Sequence, residues 1–166
     1  VHVRSLDDPA LRRMRIGIHL MGGDDANPPA ARSLARRGLA SNVEGFPIYG
    51  DYSQPDPPAR LLDAVESGAV DVAIVWGPLA GYFARTAAKP LELAPVRPER
   101  DGALPFAFDI SVGVRRGDTA WRNELQDALD RHAGDIRRLL ADYGVPSERV
   151  ATADGGANAT ATVRRR

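Results

Sequence analysis

The sequence predicts an α/β fold built on a parallel sheet, and three observations carry that prediction. From Arg15 to Arg85 strand-like and helix-like segments alternate three times, and right-handed crossovers turn such alternation into a parallel sheet. Val70, Val72, Ala73, Ile74 and Val75 form a short apolar run, β-branched apart from Ala73, of the kind buried on both faces of a parallel sheet. Gly77-Pro78 ends this run at Trp76, and Pro78 suits the first turn of a new helix, where a missing N–H costs nothing.

Taken in order, Ser5–Leu11 is a turn-rich lead with Pro9 placed just after an Asp8 cap. Arg15–Leu20 reads as the first strand, and Met21–Pro29 breaks it and leads into a helix running to about Arg37, closed by Gly38. Val43–Tyr49 is the second strand; Gly50-Asp51-Tyr52 and a proline-rich turn follow it. Pro58 opens the helix Ala59–Ser67, whose Leu61, Leu62 and Val65 share one face before Gly68 stops it. After the Val70–Trp76 strand comes a helix from Leu79, with Ala80, Gly81 and Ala84 small enough for close approach. Leu91–Val96 is a further strand and Arg97–Leu104 an exposed linker. Phe106–Val114 alternates as a strand does. Asp118 or Thr119 caps a helix with Trp121, Leu125, Ala128 and Leu129 along one stripe. Gly134 interrupts, and Ile136, Leu139, Leu140 and Tyr143 mark a second helix closed by Gly144 and Pro146. Residues 147–166, rich in Ala, Thr and Gly, carry almost no apolar bulk and read as a disordered tail.

The 166 residues suffice for one domain and slightly more. Their 22 basic and 22 acidic side chains cancel, so nothing favours nucleic acid or an anionic membrane surface. The absence of cysteine removes disulfides, thiolate catalysis and Cys-based zinc sites together. No apolar run approaches the ~20 residues of a membrane span, and no signal peptide is visible. Without an initiator Met the chain reads as a mature form or a fragment.

His2, His19 and His132 are scattered without metal-ligand spacing, and His19, on a strand, reads as a hydrogen-bonded core histidine. No nucleophile elbow, P-loop or dinucleotide fingerprint occurs. No nucleophile–base pair can be assembled, which argues against an enzyme. Gly22-Gly23-Asp24-Asp25 falls where a phosphate loop could, yet two carboxylates there would repel an anion and suit helix capping instead. Clustered oxygens from Asp24, Asp25 and Asp51 would suit a hard cation, but no metal is assigned. In an open α/β sheet, ligands collect beyond the carboxyl ends of the strands. Gly22, Asp24, Asp25, Asp51, Tyr52, Trp76, Gly77, Pro78 and Tyr82 are therefore the candidate ligand- or partner-binding residues. Trp76 and Tyr82 read equally well as packing residues closing the sheet edge.

The succession IGIHL, GDDANPPA, LARRG, NVEGFPIYGDY, PPARLLDAV, SGAVDVAIVWGPLAGYFA, PFAFDISVGVRRGD and LLADYGVP resembles the periplasmic solute-binding-protein-like accessory of bacterial methanol dehydrogenase, the MxaJ/XoxJ type. The likeness runs from about Val1 to Pro146. It implies a type II binding-protein fold of two α/β lobes. Residues 1–14 would then be a hinge segment and lead-in, with Val1–Arg4 on the outgoing hinge strand. Residues 15–96 would be a nearly complete second lobe, with Leu91–Val96 on the returning hinge strand, and 97–104 a linker. Residues 105–146 would be the C-terminal part of a first, incomplete lobe, N-terminally truncated, and 147–166 the tail. Relatives that bind amino acids carry a Gly-Thr turn for the carboxylate and an Asp for the ammonium. Here Gly22-Gly23-Asp24 and Trp76-Gly77-Pro78 stand in those places, so free amino acids should not bind.

The resemblance implies a non-catalytic periplasmic accessory without a cofactor of its own. Such a protein supports a PQQ-dependent methanol dehydrogenase, the lanthanide-dependent form included, with the quinoprotein and its cytochrome c as partners. The alternative is the substrate-binding component of an ABC transporter that captures a small solute. With part of a lobe lacking, Phe106–Val114 should dock beside the sheet, stay mobile or pair with a second chain. Self-association is the favoured outcome.

Overall fold

The computed structural model describes residues 3–20, 28–48 and 56–146, with 108, 109 and 157–165 described by their backbone alone. Its order is β1 (Ile16–Leu20), α1 (Pro29–Arg36), β2 (Val43–Pro47), α2 (Arg60–Ser67), β3 (Val72–Trp76), α3 (Gly77–Thr86) and β4 (Leu91–Pro95). There follow the short strands β5 (Arg100–Asp101), β6 (Leu104–Pro105) and β7 (Ala107–Asp109), the helices α4 (Thr119–Arg131) and α5 (Ala133–Asp142), and β8 (Ala157–Arg165). The main sheet runs β2-β1-β3-β8-β4. Its first three strands are parallel, with Ile16 opposite Val43 on one side and Val72 on the other.

Alternation along β3 explains the unbroken apolar run, because each face of the sheet has its own core. Val72 and Ile74 join Ile16, Ile18, Leu34 of α1, Leu11 and Phe106 on one face. Ala73 and Val75 join Leu61, Leu62 and Val65 of α2 and Ala80 of α3 on the other. Leu34, Leu61 and Val65 are wholly buried, and each such side chain contributes roughly 1.5–3 kcal/mol. Gly38 and Gly68 end α1 and α2 with φ of 68° and 80°, the left-handed backbone that favours glycine. Asp118 caps α4, accepting from the Trp121 amide at 3.1 Å.

The C-terminal third differs from expectation in four places. Residues 157–165, expected to be a disordered tail, form β8, antiparallel between β3 and β4. Strand pairing uses backbone groups, so Thr160, Thr162 and Val163 suffice by β-propensity to cover the open edge of β3 without apolar bulk. The strand expected over Phe106–Val114 is only Ala107–Asp109, paired with β8 at Asn158. Beyond it no strand pairing is found among the described residues, and Ile110 and Val112 are 65% and 61% exposed. The stripes expected to pack on α4 and α5 are also unburied, with Trp121, Leu129, Leu139 and Leu140 exposed. Within the chain, Ala107–Asp109 of this segment docks on β8.

The fourth difference is the linker, which is pinned rather than free. Its β5–β6 hairpin returns on itself, and Asp101 accepts from Ser33, from Arg36 at 2.7 Å and from Arg37 at 2.6 Å. Arg36, then Ser33 and Arg37, hold the Asp101 carboxyl well below the usual carboxylate range. A group with a depressed folded-state pKa stabilises above its unfolded value and loses that contribution as pH falls. Asp101→Asn should therefore melt below the parent at pH 7, and the difference should close as the buffer is taken into the acid range. A difference independent of pH would show that the carboxylate charge is not what holds the hairpin to α1.

Candidate functional site

The carboxyl ends of β1 and β3 meet the starts of α1 and α3 around a cavity of about 360 Å³. It is lined by His19, Pro28, Pro29, Ala30, Ile48, Ile74, Val75, Trp76, Leu79 and Phe106. The chain builds this wall locally. Pro29 occupies the first turn of α1 without losing a needed hydrogen bond. Pro78 does the same in α3, so β3 turns into a helix directly after Trp76. Trp76 ends β3 at 45% exposure while the four residues before it are buried.

His19 is the polar member of the wall among the described residues. It is 7% exposed, and its Nε2 lies 3.1 Å from the Pro58 carbonyl oxygen, so Nε2–H donates to that carbonyl. Burial pushes its pKa down, a tendency only partly offset by the Pro58 hydrogen bond. As pH falls below the ordinary value of 6.5, the unfolded chain takes up the proton more readily and folding weakens.

The structure separates the predicted residues. Trp76 lines the cavity, and Gly77 and Pro78 form the turn that carries it into α3. Tyr82 is not among the residues that line the cavity. Its ring stacks on Tyr143 with centroids 6.0 Å apart and meets Phe83 edge-on at 5.2 Å, which ties α3 to the end of α5. Gly22, Asp24, Asp25, Asp51 and Tyr52 lie outside the described residues. The sequence reading missed Pro28, Pro29, Ile48, Leu79 and Phe106, and took His19 for core alone. The signal for His19 was its place near the carboxyl end of a strand. Among the described residues no group of three or more His, Cys, Asp or Glu could hold a metal ion.

Trp76 should therefore emit as a half-exposed indole and be quenched by acrylamide, measured in a Trp121→Phe background. A blue-shifted, unquenchable Trp76 would contradict the placement.

A doubly covered sheet with a concave site at its strand ends is the arrangement in which open α/β folds hold ligands. The comparisons bear on the particular kind. No protein-family model matches the chain. It is 32% identical over 99 residues to Protein MoxJ of Methylorubrum extorquens, covering 57% of this chain and 33% of that protein. It is 28% identical over 99 residues to Protein MoxJ of Paracoccus denitrificans, covering 57% and 36%. The crystal structure of periplasmic binding protein XoxJ from Methylobacterium extorquens superposes with a TM-score of 0.69 at 27% identity, over 88% of this chain and 62% of that one. MxaJ from Methlophaga aminisulfidivorans gives 0.70 at 24% identity with the same coverage, a likeness of fold alone. The chain spans about a third of the curated relatives' length and under two thirds of the solved chains. Over the residues matched, it is similar to the MoxJ proteins and to XoxJ.

Proposed function

We propose that this chain is a non-catalytic periplasmic accessory that works by protein contact in methanol oxidation, supporting a PQQ-dependent methanol dehydrogenase. The observation that carries the reading is the match to the MoxJ proteins over 99 residues, joined to a fold shared with XoxJ. The site itself agrees with that role. Its wall is apolar, Trp76 is exposed at its rim, and aromatic anchors beside apolar pockets dominate protein contacts. Cytochrome c is a second candidate partner, and a lanthanide-dependent dehydrogenase falls within the same proposal. Capture of a small solute for an ABC permease is the second reading, favoured by the cavity.

A pull-down with the tagged chain from a methanol-grown extract separates the two. The first reading expects a dehydrogenase whose PQQ is recovered from the eluate, in an amount reduced severalfold by Trp76→Ala. Recovery of a permease without a quinoprotein would overturn it in favour of the second.

A further inference from the structure

We infer that the gap between β3 and β4 is a strand-acceptor site, and that its partner in trans is the C-terminal strand of a second copy of this chain. Such an exchange of β8 between copies is separate from the proposed contact with a dehydrogenase and does not rest on it.

The acceptor is built without β8. β3, α3 and β4 follow one another directly, and β3 and β4 run in the same direction, each antiparallel to β8. Among the described residues β3 and β4 do not pair with each other, so the unit leaves a space one strand wide, about 9–10 Å from β3 to β4. Both walls are fixed from elsewhere. Ala73 and Val75 of β3 share a core with Leu61 and Val65 of α2, and Leu91 and Leu93 of β4 pack against it. Each wall offers backbone donors and acceptors to the gap, and such groups are costly to leave unpaired. The gap therefore selects an extended polypeptide.

β8 meets that demand through its backbone. Ala73–Trp76 lie opposite Val163–Thr160 on one side, and Leu91–Pro95 lie opposite Arg165–Ala161 on the other. β7 continues the ladder as far as Ala157. Val163 is the one large apolar residue of the strand, so recognition rests on main-chain hydrogen bonds, as in strand addition at a sheet edge. The helices that precede β8 hold it to the lobe only lightly. No residue of α4 or α5 is buried among those described, and α5 meets α3 through Arg85 on the Ala141 carbonyl and Tyr82 on Tyr143. A second copy carries the same strand in the same register, so reciprocal exchange keeps every strand pair and closes a two-fold dimer. What exchange forfeits is the tether, worth an effective concentration of order mM. Exchange should therefore grow with protein concentration.

The test uses the 166-residue chain and exploits its lack of cysteine. Ala94 of β4 lies opposite Thr162 of β8, and cross-strand neighbours about 4.5–5.5 Å apart suit a disulfide. A chain carrying both Ala94→Cys and Thr162→Cys should close an internal disulfide when oxidised in dilute solution. Chains carrying one substitution each, unfolded together, refolded near ~1 mM and oxidised, should give a disulfide-linked heterodimer well in excess of either homodimer. Adding Val163→Pro to the Thr162→Cys chain removes a ladder hydrogen bond and should cut the heterodimer roughly tenfold. If that variant does not fold, an excess of free peptide of residues 157–166 should produce the same loss with the other two chains unchanged. Failure of the internal disulfide, no heterodimer where the internal disulfide forms, or a heterodimer insensitive to the proline and to the peptide would each overturn the assignment. Peptide binding without exchange between chains would overturn the second copy as the partner.

Discussion

Replacing Gly81 by alanine is expected to release α5 from α3, although helix propensity alone predicts the opposite. Within a helix, alanine is favoured over glycine by about 1 kcal/mol. Gly81, however, is buried at the point where α3 meets the turn after α5. A Cβ there would overlap the Gly144 carbonyl and lie 3.2 Å from Pro146 Cδ. The obstacle is backbone, so no rotamer change relieves it, and overpacking of this kind costs about 1–3 kcal/mol or more. Little else compensates locally. Arg85 donates to the Ala141 carbonyl at 3.1 Å, Tyr82 stacks on Tyr143, and no residue of α4 or α5 is buried among those described. Hydrogen exchange should show amides 133–142 losing protection while those of β1 and β3 keep theirs. Gly134→Ala is the control, since nothing lies within 4 Å of a Cβ there, and it should be neutral or stabilising. A Gly81→Ala protein with α5 still protected would mean that the helices can separate slightly at no cost.

Leu61→Ala is expected to remove about 2–5 kcal/mol, a large part of the roughly 5–15 kcal/mol that holds a domain folded. Leu61 is wholly buried in the core between the sheet and α2. Its partner across the gap is Gly17 of β1, where a Cβ would collide with Leu61 Cδ1 and stand 3.3 Å from Val70 Cγ2. The strand thus lacks a side chain at the place where the helix supplies one. Gly17→Ala alone should also destabilise, by crowding Leu61. The double variant should lose less than the two losses summed, because the new methyl occupies part of the space vacated by leucine, and residues in contact couple by about 0.5–3 kcal/mol. Urea unfolding of the four proteins measures the coupling. Strict additivity would show that the two residues do not share this space.

These two sites also show what was legible in the sequence. The helix carrying Leu61, Leu62 and Val65 and the doubly buried strand through Ile74 followed from periodicity. So did Trp76 at the strand's end, because Gly77-Pro78 permits no other continuation. Gly81 was legible as a place of close approach, but what approaches it was not, since Gly144 lies far along the chain and its contact depends on tertiary geometry. The contact of Tyr82 was hidden for the same reason: it lies on the helix that follows Trp76, and its ring stacks on Tyr143, far along the chain. The linker's exposure was legible from its polarity, but polarity does not reveal that Asp101 finds Arg36 and Arg37. β8 escaped notice because a strand between two others needs backbone donors and acceptors more than apolar side chains. Pro28, Ile48 and Phe106 come together only when three separate connections converge, which no local pattern encodes.

The position of β8 bears on the order in which the chain assembles. β1, α1, β2, α2 and β3 meet neighbours close in sequence and can condense early, because loop closure among them costs little. β4 is different: among the described residues its strand pairing is with β8, which arrives only after α4 and α5 have been passed. Until then β3 and β4 each present bare backbone, the state in which stray intermolecular pairing is most easily started. β8 covers both of these inner edges at once and leaves β2 and β4 as the outer strands of the sheet.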